Sequence, residues 1–317
     1  MPALITAVRN EAEASRLPLP LLLYWGATAL LFTQLFFALY PSWTDGTYYD
    51  YGLLAPIILL LVYKLRWNEE SLPIGSLVAR MENLQRSPLS WILLFSFLLL
   101  LIPLRLIESV EASWRAPLLL HGSLLLGLIG YFQFRLFGSK GLLSFLPVAV
   151  LTFLVIPLPT YLETNLIEGL TNAVTETAAT AVRWSGIPVE VAGQTLILDN
   201  LPLHVAEGCS GIRSFQSSVF AAILIGEFFR LSLLRRTLLL SLGVAAAFLF
   251  NATRVVYLVF HAANHGDANL QSMHDLSGQV SMVATFLLLG LGAIALRRGG
   301  NPDHSTVRDA SRKTDTT

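Results

Sequence analysis

Apolar residues in this chain come in long runs rather than in alternating stretches, and eight of them meet or approach the roughly 20 residues a helix needs to cross a bilayer. They fall at about 17–40, 50–66, 88–106, 116–135, 141–157, 210–229, 237–260 and 277–296. The longest connection between runs extends from about Pro159 to Cys209. Within it Leu162, Leu166, Leu170, Val174 and Ala178 recur every four residues, which predicts an amphipathic helix over 160–184. Beyond Ser185-Gly186, Val189 and Val191 alternate with polar neighbours, Ala192-Gly193-Gln194 marks a turn, Leu196, Ile197 and Leu198 follow, and Asp199-Asn200 marks a second turn. That pattern predicts a small β-hairpin leading to Cys209. The predicted fold is an all-α polytopic membrane protein of about eight transmembrane helices, with a small extracytoplasmic amphipathic helix and β-hairpin before the cysteine. Residues 1–298 form one membrane-embedded domain with an insertion at about 159–209, and the polar tail 299–317 is expected to be disordered and cytoplasmic.

Composition agrees: 54% of residues are hydrophobic and 13% charged, and the mean hydropathy is +0.62, too apolar for a soluble domain. The first apolar run is longer than a cleavable signal core and reads as a retained span. A net charge of zero gives no case for a nucleic-acid partner, so the placement of charge carries more than its sum. With the N-terminus inside, cytoplasmic segments hold 16 of the 21 basic residues, the outer segments hold Arg105, Arg115 and Arg183, and Arg213 and Arg254 fall within spans. The positive-inside rule then puts both termini in the cytoplasm and the 159–209 insertion outside.

A single cysteine excludes an internal disulfide and a multi-cysteine metal centre. Cys209 stands in Ala206-Glu207-Gly208-Cys209-Ser210-Gly211-Ile212-Arg213-Ser214, where an apolar helix begins. A thiol in a first helical turn feels the positive end of the helix dipole, Ser210 is a cap, and Gly208 and Gly211 admit a tight backbone and a close substrate chain. Arg213 and Ser214 either line the same pocket or position the helix at the interface. Arg254 lies inside an apolar run, about 2.5–3.5 kcal/mol unfavourable at mid-membrane, and therefore needs a partner or an aqueous cavity; Asn251 is one turn away. His274 precedes the last span, and imidazole is a side chain suited to proton exchange with a thiol or an amine. Cys209, Arg254 and His274 belong to three different spans, yet the topology brings all three to the outer face. His261 and His265, with Asp267, His274 and Asp275, sketch a metal site but lack a ligand frame, so no metal or cofactor is expected. His121, His204 and His304 have no companion signal.

These blocks resemble the exosortase/archaeosortase family of polytopic membrane transpeptidases, whose signature is A-x-x-C-S-G-x-x-S, N-x-x-R and H-x-x-x-G. Ala206, Cys209, Ser210, Gly211 and Ser214 match the first block, Asn251 and Arg254 the second, His274 and Gly278 the third, and the resemblance covers at least 140–296. It implies a prokaryotic cell membrane location and an extracytoplasmic active site. It also implies exported substrates bearing a C-terminal sorting signal of motif, transmembrane helix and basic tail. The implied chemistry has Cys209 as nucleophile forming a thioacyl enzyme, Arg254 stabilising the oxyanion, His274 exchanging the proton, and an amine acceptor, on a lipid for example, resolving the intermediate. Other readings of the residues are a transporter or channel with Arg254 as its buried charge, and an intramembrane metalloprotease dependent on His261 and His265.

Overall fold

The computed structural model describes residues 19–46, 48–67, 73–111, 114–198, 201–265 and 270–298. The predicted tail 299–317, the Asp199-Asn200 turn and Asp267 lie outside them. The chain divides into two compact units, Met1–Thr160 and Tyr161–Thr317.

The first unit holds α1 (Leu19–Thr44), a 3₁₀ turn (Asp50–Leu54), α2 (Ala55–Trp67), α3 (Ile74–Arg86), α4 (Pro88–Val110) and α5 (Arg115–Val155). Pro88 opens α4 at a position where a missing N–H costs nothing. Within α5, Gly138 has φ 73° and ψ −158°, a conformation that L side chains avoid, so the helix is two arms meeting at a break. The sequence places its fourth and fifth apolar runs on either side of that break. The break leaves helical carbonyls without their usual donors, and Arg80 donates to the Leu136 carbonyl at 2.7 Å. The helix bearing Arg80, α3, is absent from the pattern of long apolar runs because only one stripe of it, Leu77, Met81 and Leu84, packs inward, against Leu136.

One buried cluster in this unit corrects the sequence reading. The third run stops at 106, but α4 continues to Val110 and buries Glu108. Its Oε2 accepts from Arg105 at 2.8 Å and its Oε1 lies 3.0 Å from His121 Nδ1, so His121 does have a companion. A buried carboxylate is tolerated because two hydrogen-bonding partners reach it.

The second unit runs α6 (Thr160–Trp184), β1 (Glu190–Ala192), β2 (Thr195–Leu198), β3 (Leu201–His204), a 3₁₀ turn (Glu207–Cys209), α7 (Ile212–Phe228), α8 (Leu233–His265) and α9 (Leu270–Arg298). The segment 160–184 is helical, but its buried stripe is Glu163, Ile167, Thr171, Val174, Ala178 and Val182. Leu162 is exposed and Leu166 and Leu170 are only half-buried, so the N-terminal half faces one residue round from the predicted leucine stripe. β1 and β2 pair antiparallel across the 192–194 turn, and a third strand, which the sequence reading did not include, extends them into a three-stranded antiparallel sheet in the order β1-β2-β3, with Leu196 paired to Val191 and to Leu203. Gly193, at φ 63°, turns β1 into β2. Val174, Ala178, Val182, Leu196, Leu198 and Val205 form one core with Val255 and Val259 of α8, and Cys209 belongs to it.

α8 packs against both α7 and α9. At one end of this trio Ala222, Leu231, Leu239, Leu289 and Ala293 interlock, and Arg236 pairs with the buried Glu227. Across both units, four of the described helices are long and apolar enough to cross a membrane: α4, α5, α8 and the part of α9 from Gln271 to Arg297. α2 has 13 residues and α7 has 17.

Candidate active site

Gly211 sets the local geometry around the cysteine. Its φ of 81° prevents α7 from extending backward, so the helix proper starts at Ile212 and Cys209 sits in the 3₁₀ turn before it. The expectation of a thiol in the first turn of that helix is therefore corrected: the dipole is displaced from Sγ by a left-handed residue. A Cβ on Gly211 would stand 2.7 Å from Asn251 Nδ2, so the missing side chain also makes room for the asparagine. Ser210 Oγ accepts the Ile212 N–H at 3.2 Å and caps the helix from two residues back.

α8 supplies two residues a turn apart. Asn251, 2% exposed, donates from Nδ2 to the Cys209 carbonyl at 2.7 Å and accepts on Oδ1 from Arg254 Nη1 at 3.3 Å. Arg254 Nη1 also donates to the Gly208 carbonyl at 3.4 Å. The two side chains together hold both carbonyls flanking the thiol-bearing residue. Arg254 is itself buried at 8% exposure, which is sustainable because these acceptors and His274 surround it.

His274, in the first two turns of α9, completes the cluster. Its Nε2 lies 3.1 Å from Cys209 Sγ and 2.7 Å from Arg254 Nη2, while Nη2 is 3.9 Å from Sγ. A guanidinium only donates, so Nε2 accepts and the ring proton sits on Nδ1. Nδ1 faces Asp275 Oδ1 at 3.1 Å, which suits that tautomer. Asp275 was legible only as part of a loose polar cluster, since nothing in its spacing marks it as an imidazole partner. Burial pushes the Cys209 thiol above its ordinary pKa, and the Arg254 charge opposes this only in part. The geometry therefore sets a thiol, held toward its protonated form by burial, beside an imidazole nitrogen placed to accept its proton.

A cavity of about 570 Å³ opens onto this cluster, lined by β3, the segment to Cys209, one face of α8 and the start of α9. Gly208, Cys209 and His274 line it; Arg254 and Asn251 stand behind them. Glu207 is exposed on the 3₁₀ turn, Arg213 is exposed on α7, Ser214 is half-buried, and none of these three lines the cavity. Gly278 lies against the guanidinium, where a Cβ would be in ordinary contact with Arg254 Cζ at 3.5 Å. His261 and His265 stack at 4.7 Å, and among the described residues no three His, Cys, Asp or Glu side chains are placed to hold a metal ion.

The long apolar helices make this a membrane protein, with a thiol, an imidazole and a guanidinium gathered beside a cavity. The family model described as transmembrane exosortase matches residues 43–291, and the chain belongs to that family. No curated protein and no solved structure matches it.

Proposed function

We propose that this membrane exosortase cleaves a C-terminal sorting signal of exported proteins through a thioacyl enzyme on Cys209 and passes the acyl group to an amine acceptor. The observation that carries the reading is the position of His274 Nε2, 3.1 Å from Cys209 Sγ. A neutral thiol within hydrogen-bond reach of an accepting imidazole is a nucleophile paired with its base. Sγ bonds to the scissile carbonyl carbon as its proton moves to Nε2. The same proton then goes to the departing amine nitrogen as the C–N bond breaks.

Backbone geometry favours Arg254 as the oxyanion donor. The Cys209 N–H already donates to the Ala206 carbonyl at 2.7 Å and the Ser210 N–H to the Glu207 carbonyl at 3.0 Å, so the turn's own amides are engaged. Arg254 Nε is buried without a partner, and Nη2 rests on the nitrogen that must receive the thiol proton. In this scheme, substrate arrival draws the guanidinium from Nε2 to the developing oxyanion and frees the base in the same movement. Family membership supports protein substrates carrying sorting signals. The charge distribution supports both termini in the cytoplasm and a site at the extracytoplasmic face.

Co-expression with a tagged protein of the same genome that ends in an apolar helix and a basic cluster tests the reading. Cys209→Ala should accumulate normally and leave the tag uncleaved, and mass spectrometry of the native enzyme should find the substrate acyl group on Cys209. Full processing by Cys209→Ala would refute the nucleophile.

A further inference from the structure

The cavity at Cys209 has a strand edge for one wall. In the sheet order β1-β2-β3, β3 is an edge strand, and Pro202, Leu203 and His204 of β3 line the cavity that continues through Val205, Ala206 and Gly208 to the thiol. Pairing of Leu196 with Leu203 and of Thr195 with His204, together with the Val205 N–H donating to the Gln194 carbonyl at 2.8 Å, fixes which backbone groups look which way. Antiparallel alternation turns Leu203 and Val205 toward β2 and turns Pro202 and His204 outward. The outward edge therefore offers the Pro202 carbonyl and the N–H and carbonyl of His204, while proline itself has no N–H to offer. His204 uses its side chain elsewhere, with Nδ1 3.3 Å from Thr195 Oγ1 across the strands, so what it presents at the edge is backbone.

We infer that the substrate segment next to the scissile bond binds as an added β-strand on β3, its backbone paired to Pro202 and His204, and is thereby led to Cys209. This deepens the proposed function and rests on it. Three observations specify an extended peptide as the occupant. The exposed groups are one donor and two acceptors at strand spacing, which an extended chain satisfies with three hydrogen bonds in either direction. Val255, Leu258 and Val259 of α8 also line the cavity, an apolar surface for the side chains of such a strand. The edge is continuous with the thiol, and at about 570 Å³ the space is that of a ligand cleft rather than a packing defect.

The edge can be altered through its backbone alone. His204→Pro removes the outward N–H and leaves the ladder bonds of Leu203 and Val205 intact, whereas His204→Ala removes only the side chain. Pro202→Ala restores an N–H to the edge and adds a fourth bond. With the same tagged substrate at limiting concentration, His204→Pro should lower the processing rate about five- to tenfold relative to His204→Ala, the effect of one hydrogen bond. Pro202→Ala should raise it a few-fold. The rate at which iodoacetamide modifies Cys209 should be the same in all three, showing an intact site; if His204→Pro fails to accumulate, Pro202→Ala carries the test. Equal processing by the proline and alanine variants at 204 with no gain at 202, the behaviour of a groove for an acyl chain, would overturn the strand while leaving the thioacyl reading in place. Absence of a thioacyl adduct on the native enzyme would overturn both.

Discussion

At the scale of single residues the site is a contest over the Cys209 proton. Burial favours the thiol and the Arg254 charge favours the thiolate, with burial the larger effect. The native enzyme without substrate should therefore react with iodoacetamide at a rate that climbs with pH to a midpoint above the ordinary thiol value of 9.0. Arg254→Gln, which removes the opposing charge, should move that midpoint higher still, and a midpoint below the ordinary value in either protein would contradict the balance. The same sign holds for stability: the folded state keeps this proton more tightly than the unfolded chain, so the contribution is full below the ordinary thiol range and is lost as pH rises through the folded value. Asp275 orients the imidazole from a position that is largely exposed, its side chain 62% accessible, so its hydrogen bond with His274 adds little beyond the choice of tautomer.

At the scale of elements, the join between the 3₁₀ turn and α7 positions the Cys209 thiol. Gly211→Ala would place a methyl at a left-handed φ and 2.8 Å from Asn251 Cγ, moving the side chain that holds the Cys209 carbonyl. The strain alone is about 1–2 kcal/mol. Thermal unfolding in detergent should show the loss, and tag processing should fall with it. Gly208→Ala should keep native stability, because its Cβ would meet only His274 Cε1, at 3.9 Å. The glycines looked alike in the sequence, and the backbone angle and the room beside each Cα separate them. The cysteine, arginine, histidine and asparagine were legible because each is chemically conspicuous in an apolar setting. The register of α6 was not, since threonines and alanines share its buried stripe and the leucines that dominate any periodicity stand partly outside it. Glu108 escaped notice because the apolar run ends four residues before the helix does. The third strand was hidden by a pattern that counted Leu196 to Leu198 as the end of a hairpin, when Leu201 to His204 pairs back onto them.

At the scale of the whole molecule, the question is which side of the membrane the thiol faces. Family membership and the apolar helices make the chain a multi-pass membrane protein, and 16 of its 21 basic residues fall in segments that share one side if eight runs cross. Each additional or missing crossing before residue 209 would invert the position of the site, so orientation and span count stand or fall together. The chain has one cysteine, which makes the measurement clean. In intact cells a small, charged, membrane-impermeant thiosulfonate should modify Cys209 through its cavity, Cys209→Ser should take up no label, and prior treatment with the impermeant reagent should block later labelling by a permeant maleimide. Labelling by the permeant reagent alone, in cells whose native enzyme is shown to be accessible after lysis, would place the thiol on the cytoplasmic side. The substrate would then have to present its signal before export, and the eight-crossing topology would have to lose or gain a span ahead of α6.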